Sequence, residues 1–140
     1  MPKGYAAHIS QSVMHVSLGQ VPGHGSWTPN TDIYETADRF VVKMELAGVE
    51  AAELEVMLQD RLLVVAGYRE DACRPQTKRC SFHQMEIDYG HFERRLRLPA
   101  PVDTRRAQAR LQNGFLRVDL PKTTRVEPAP AMVVLIETTD

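Results

Sequence analysis

The sequence predicts an all-β fold: a sandwich of two antiparallel sheets, with a flexible arm before it and an extension after it. Three observations carry this expectation. From residue 31 to residue 122, apolar and polar residues alternate in short segments separated by turn signals, the period of half-buried strands. Asn113-Gly114 stands between two such segments, and Asn-Gly supplies at low cost the two positive-φ residues of a type I′ hairpin turn. The stretches on either side, 1–30 and 123–140, lack this period, and a chain of 140 residues holds about one domain's worth of core.

The arm, 1–30, carries one charge, Lys3, and four of the eight glycines. Ile9, Val13 and Val16 have helical spacing, but glycines close in around them, so a helix there is only marginally stable alone. With Met14 and Leu18 these are apolar residues that lack a home in a monomer. In the domain, Phe40, Val42, Met44 and Leu46 share one face of a strand that ends at Ala47-Gly48. Leu54, Val56 and Leu58 alternate in the next, and Asp60-Arg61 turns the chain. Leu62 to Gly67 is too uniformly apolar for simple alternation and predicts a strand covered on both faces. A loop at about 68–90 follows, too long and polar for an ordinary connection, and Ser81 to Glu86 in it is expected to form a short strand. Phe92, Arg94, Leu96 and Leu98 make another period-2 set, closed by Pro99 and Pro101. Ala107, Ala109 and Leu111 lead into the hairpin turn, and Leu116, Val118 and Leu120 lead out. In 123–140, Pro128 and Pro130 stiffen the chain before an apolar patch, Met132 to Ile136, too small to form a core. A last β-strand of the domain is the plainer reading of that patch.

Composition excludes several function classes. A net charge of -1 gives no electrostatic footprint for nucleic acid, and no basic amphipathic face suits a membrane surface. No apolar run reaches the length of a spanning helix and residues 1–20 lack a secretory core, so a soluble, cytoplasmic protein is expected. Cys73 and Cys80, with six residues between them in a polar stretch, fit neither a zinc pair nor a close redox pair; they read as reduced surface thiols, with a regulatory disulfide as the alternative. The histidines (His8, His15, His24, His83, His91) lack metal-ligand spacing, no hydroxyl sits in a nucleophile elbow, and no phosphate-cradling motif occurs. The expectation is no enzyme, metal, cofactor or ATP.

Particular motifs carry a resemblance. Trp27-Thr28-Pro29 before Asp32-Ile33-Tyr34-Glu35, Glu45-Leu46-Ala47-Gly48-Val49, and Tyr89-Gly90-His91-Phe92-Glu93-Arg94 with Leu98-Pro99 occur in this order. Ala109-Arg110-Leu111-Gln112-Asn113-Gly114-Phe115-Leu116 then runs into Leu120-Pro121-Lys122. Over roughly 27–122 the chain resembles the α-crystallin domain of small heat shock proteins of bacterial type. Ala47, Leu96 and Phe115 stand where that family commonly has proline, phenylalanine and valine.

The resemblance implies an immunoglobulin-like β-sandwich that self-associates and binds partly unfolded client proteins under stress without ATP, as a holdase. It implies that the 68–90 loop pairs with a neighbouring subunit, with Phe82 and Glu86 at the dimer interface and Glu86 accepting an ion pair across it. A solvated loop carboxylate is the plainer reading of Glu86. Arg94, on the core-facing set, is implied to hold the dimer region together; an exposed arginine at a strand end is the alternative. Val134 and Ile136 match an anchor that enters another subunit, a one-residue slip to Val133 and Leu135 being open. The implied groove lies between the strands of Val42, Met44 and Leu46 and of Ala107, Ala109 and Leu111. Clients would use the arm residues Ile9, Val13, Met14, Val16 and Leu18. A β-sandwich adaptor that docks onto a larger chaperone without assembling is the rival reading.

Overall fold

The computed structural model describes residues 3–5, 27–71, 73, 81–125 and 130–138. The strands run in chain order β1 (Lys3–Tyr5), β2 (Thr31–Glu35), β3 (Arg39–Glu45), β4 (Leu54–Gln59), β5 (Leu62–Arg69), β6 (Gly90–Arg97), β7 (Gln108–Gln112), β8 (Phe115–Pro121), β9 (Met132–Val133) and β10 (Ile136–Thr138). They form a six-stranded sheet in the order β1-β10-β7-β8-β3-β2 and a four-stranded sheet in the order β6-β5-β4-β9. All pairings are antiparallel except β10 with β7, which is parallel.

Alternation explains the core. Phe40, Val42 and Met44 of β3 meet Leu120, Val118 and Leu116 of β8 on the inner face of one sheet, and Leu46 just after β3 joins them in the core. Leu54, Val56 and Leu58 with Leu63, Val65, Phe92, Leu96 and Leu98 line the other. β5 is covered on both faces, as its uniform apolar run predicts: Leu63 and Val65 point inward, while Val64 and Ala66 join Met57 in a second buried cluster outside. Gly67 ends this run because a Cβ there would stand 2.6 Å from the Glu53 carbonyl and 2.8 Å from the Phe92 ring.

The hairpin turn forms as its chemistry requires, with Asn113 at φ 53 and Gly114 at φ 78 between Gln112 and Phe115, which pair directly. Two expectations need correction. Ser81 to Glu86 forms no strand, since extended chain needs a neighbouring edge to satisfy its backbone and no such pairing occurs among the described residues. Cys73 is disulfide-bonded, not a free thiol; the sequence has one other cysteine, Cys80, which lies outside the described residues. The spacing that rules out metal and close redox pairs still permits a small ring to close within one loop.

Candidate functional site

Three features of this sandwich hold expected site residues or exposed apolar side chains: the tail, the return of the long loop, and the strand β2. The tail crosses from one sheet to the other. β9 pairs with β4 through Met57↔Val133 and Leu58↔Met132, the Val134 N–H donates to the Val56 carbonyl at 3.0 Å, and β10 then runs beside β7 with Ile136 opposite Ala109. Extended chain alternates its side chains, so Val134 and Ile136 enter the main core, 5% and 0% exposed, while Leu135 between them is 54% exposed. Two strands of two and three residues hold this patch to the chain's own domain.

The seat differs from the expected one. β4 and β7 flank the tail, not β3 and β7, because the Asn113-Gly114 hairpin places β8 between β3 and β7. Val42 and Met44 of β3 and Leu46 just after it are therefore core residues, each 0% exposed, on a strand that does not pair with the tail. Ala109 faces Ile136, Leu111 lies opposite Thr138, and Ala107 is half-buried just before β7. Alternation assigns a residue to a face, but it does not name the strand's neighbour.

The loop returns to β6 through 81–89, where Phe82, Met85 and Ile87 are 47%, 61% and 62% exposed. Glu86 is exposed and accepts a hydrogen bond from the Gln84 amide. Arg94 lies half-buried on β6 opposite Val65, on the core-facing set, and no carboxylate reaches it among the described residues. On the same strand, Glu93 has a buried side-chain oxygen, Oε1, with no hydrogen-bond partner.

Sequence reasoning missed the group that fixes where this loop returns. The Arg69 guanidinium sits 3.9 Å over the Trp27 ring, donates from Nε to the Asp88 carbonyl at 2.8 Å and from Nη1 to the Ala47 carbonyl at 3.0 Å. Trp27 packs edge-on to Phe92 at 5.2 Å and donates from Nε1 to the Gly90 carbonyl at 3.0 Å. One planar cation thus ties the end of β5, the loop's return and the turn after β3. An arginine two residues after Gly67, at the end of an apolar strand, was the available signal.

The β2 edge was also missed. Among the described residues β2 pairs only with β3, and its Ile33 and Tyr34, on opposite faces, are 43% and 42% exposed. Two adjacent large apolar residues that both meet solvent mark an unfinished sheet edge. At the β2–β3 turn, Asp38 is held below its ordinary carboxylate value, first by the Thr36 hydroxyl and then by Arg39. On the outer face of the same sheet, Arg117 is held above its ordinary value, chiefly by its hydrogen bond to Asp119.

Ile9, Val13, Met14, Val16 and Leu18 lie outside the described residues. No group of three or more metal-ligating side chains occurs among the described residues, and no helix there is long and apolar enough to cross a membrane.

Comparison with known proteins agrees with this geometry. The Hsp20/alpha crystallin family pattern matches residues 32–136. The small heat shock protein C2 of Rickettsia felis is 31% identical over 94 residues, covering 67% of this chain and 60% of that protein. The 16.9 kDa class I heat shock protein 1 of Triticum aestivum is 36% identical over 98 residues, covering 69% of this chain and 64% of that protein, so less than two thirds of either relative is matched. A small heat-shock protein from Xylella fastidiosa, whose crystal structure is described as having a distinct high order structure, superposes with a TM-score of 0.62 at 32% identity, covering 74% of this chain and 94% of that one. With its two-sheet sandwich, its Asn-Gly hairpin and its family match over three quarters of its length, this chain belongs to the Hsp20/alpha crystallin family of small heat shock proteins.

Proposed function

We propose that this protein is an ATP-independent holdase: it binds partly unfolded proteins under stress through apolar surface and so prevents their aggregation. The observation that carries this reading is the tail, because Val134 and Ile136 fill a core position yet hang on two very short strands. Fully burying each aliphatic side chain is worth about 1.5–3 kcal/mol before ordering costs, so a single tail contact releases readily. Release uncovers an apolar slot between β4 and β7 and frees an extended segment to enter the same slot on another subunit. Many weak anchors acting together give an assembly that still exchanges its parts.

The self-association in this reading is a reciprocal dimer. The 81–89 return brings Phe82 and its neighbours to the open β2 edge of a second copy, where Ile33 and Tyr34 await cover. Glu86 accepts an ion pair across that interface, and Arg94 helps hold the dimer region together. The arm residues Ile9, Val13, Met14, Val16 and Leu18 join the vacated tail slot in client capture. The protein acts in the cytoplasm, with no nucleic acid, membrane or ATP involved.

The test is light scattering from a heat-labile enzyme warmed without ATP, with the protein added at rising subunit ratios. Suppression near stoichiometric ratios is expected. No suppression at several-fold excess would leave the family's fold without this activity.

A further inference from the structure

The outer face of the six-stranded sheet carries an arrangement that the fold does not need. The registers set Lys43 of β3 directly opposite Arg117 of β8, and Arg117 directly opposite Arg110 of β7. Three cations therefore stand in one line across three neighbouring strands. Like charges directly opposite one another weaken a sheet, so this line works against stability. Arg39 adds a fourth cation close by, because it shares Asp119 with Arg117 at 3.4 and 3.0 Å. Glu137 on the tail strand is the other carboxylate present, 3.9 Å from Arg110, while no carboxylate reaches Lys43 among the described residues.

These groups line a cleft of ≈ 490 Å³. Its four cations exceed its two carboxylates, in a chain whose overall net charge is -1. The floor also holds the amides of Gln112 and Asn113 and the ring of Phe115, which is 43% exposed with the Lys43 Nζ 5.2 Å from its centre.

We propose that this cleft is a docking surface for acidic segments of client polypeptide, a preference that rests on the holdase reading above. The chemistry is complementary to that occupant. Guanidinium groups accept carboxylates in paired geometry, amide side chains bond an extended backbone, and the exposed ring takes an apolar side chain between the acidic ones. A nucleic acid is a poorer match, since the slightly acidic chain offers no wider positive field to hold a phosphate backbone. The tail forms one wall of the cleft through Glu137, so release of the tail removes a competing carboxylate as it opens the apolar slot.

The experiment uses the full chain and two short, unstructured, dye-labelled peptides that alternate serine and phenylalanine with glutamate in one and lysine in the other. Fluorescence anisotropy reads their binding. The acidic peptide is expected to bind roughly three- to tenfold more tightly, the scale of two exposed ion pairs, and to lose this preference as salt is raised. Lys43→Glu with Arg110→Glu abolishes the preference, Lys43→Gln with Arg110→Gln reduces it to near parity, and Arg97→Glu, exposed on the other sheet, leaves it unchanged.

Equal binding of the two peptides overturns the proposal, as does a preference that survives the paired variants. A variant that changes the mass of the protein alone while the preference persists assigns the face to contacts between copies. An oligonucleotide that displaces the acidic peptide at lower concentration assigns it to polyanions. Light scattering with a basic client separates the two readings: protection without any acidic preference overturns only this inference, and no binding together with no protection overturns both.

Discussion

The connection from β7 to β8 spends two residues and closes its ladder at once, Gln112 pairing with Phe115. The connection from β5 to β6 runs from Glu70 to Tyr89 and, over its described return, holds Phe82, Met85 and Ile87 in solvent. Both link antiparallel strands whose ladders reach the base of the connection, Arg69 pairing with Gly90 in the second, but only the first turns within two residues. The difference teaches where this sequence closes its chain with a tight turn and where it leaves large apolar side chains facing solvent. Leu116 beside the hairpin is fully buried while Phe115 is 43% exposed, whereas all three large apolar residues of the loop's described return are 47–62% exposed.

Several substitutions sharpen or break that contrast. Leu116→Ala, beside the hairpin and 0% exposed, should lose about 2–5 kcal/mol of stability in denaturant titration, from lost transfer energy and the cavity left behind. Gly67→Ala should cost about 1–3 kcal/mol, because the Glu53 carbonyl and Phe92 ring leave no room for the added carbon. Gly114→Ala should cost about 1–2 kcal/mol, since φ is +78 and a Cβ would stand 3.2 Å from the Ala47 Cα. If Gly114→Ala melts like the parent, the hairpin does not depend on its turn residue and the contrast loses one side.

The smallest effect concerns acid. Asp38 has a lowered folded pKa, so its contribution is fully present above the ordinary value of 3.8 and is lost as pH falls through the folded value. Asp38→Asn should leave the neutral melting temperature nearly unchanged and flatten its pH dependence slightly below 3.8. A large loss at neutral pH would mean that the turn relies on Asp38 for more than this exposed pair with Thr36 and Arg39.

Much of the fold is legible in the sequence because its signals are local. Asn113-Gly114 specifies its own turn, and the apolar run from Leu62 to Gly67 states that both faces of β5 are covered. What is not legible depends on neighbours far away in sequence. The period of Val42, Met44 and Leu46 gives their face, but only the order β7-β8-β3 removes them from the tail's seat. Ser81 to Glu86 has a strand's composition but pairs with no strand among the described residues. Arg69 is one charge among many in the sequence, and its clamp on Trp27, Ala47 and Asp88 exists only once three distant segments meet. Cys73 and Cys80 show the same limit, since spacing describes which sites a pair cannot make more reliably than whether a loop lets it close.

The central claim is that the leftover apolar residues of the loop serve association and not folding. Sedimentation velocity on the protein and on Phe82→Ser with Ile87→Ser, with thermal melting of the separated subunits alongside, tests it most directly. The account predicts a multimeric parent, a variant shifted toward monomer, and intrinsic stabilities within about 0.5 kcal/mol of each other, as expected for exposed positions. An unchanged mass, or a monomeric parent, would contradict it.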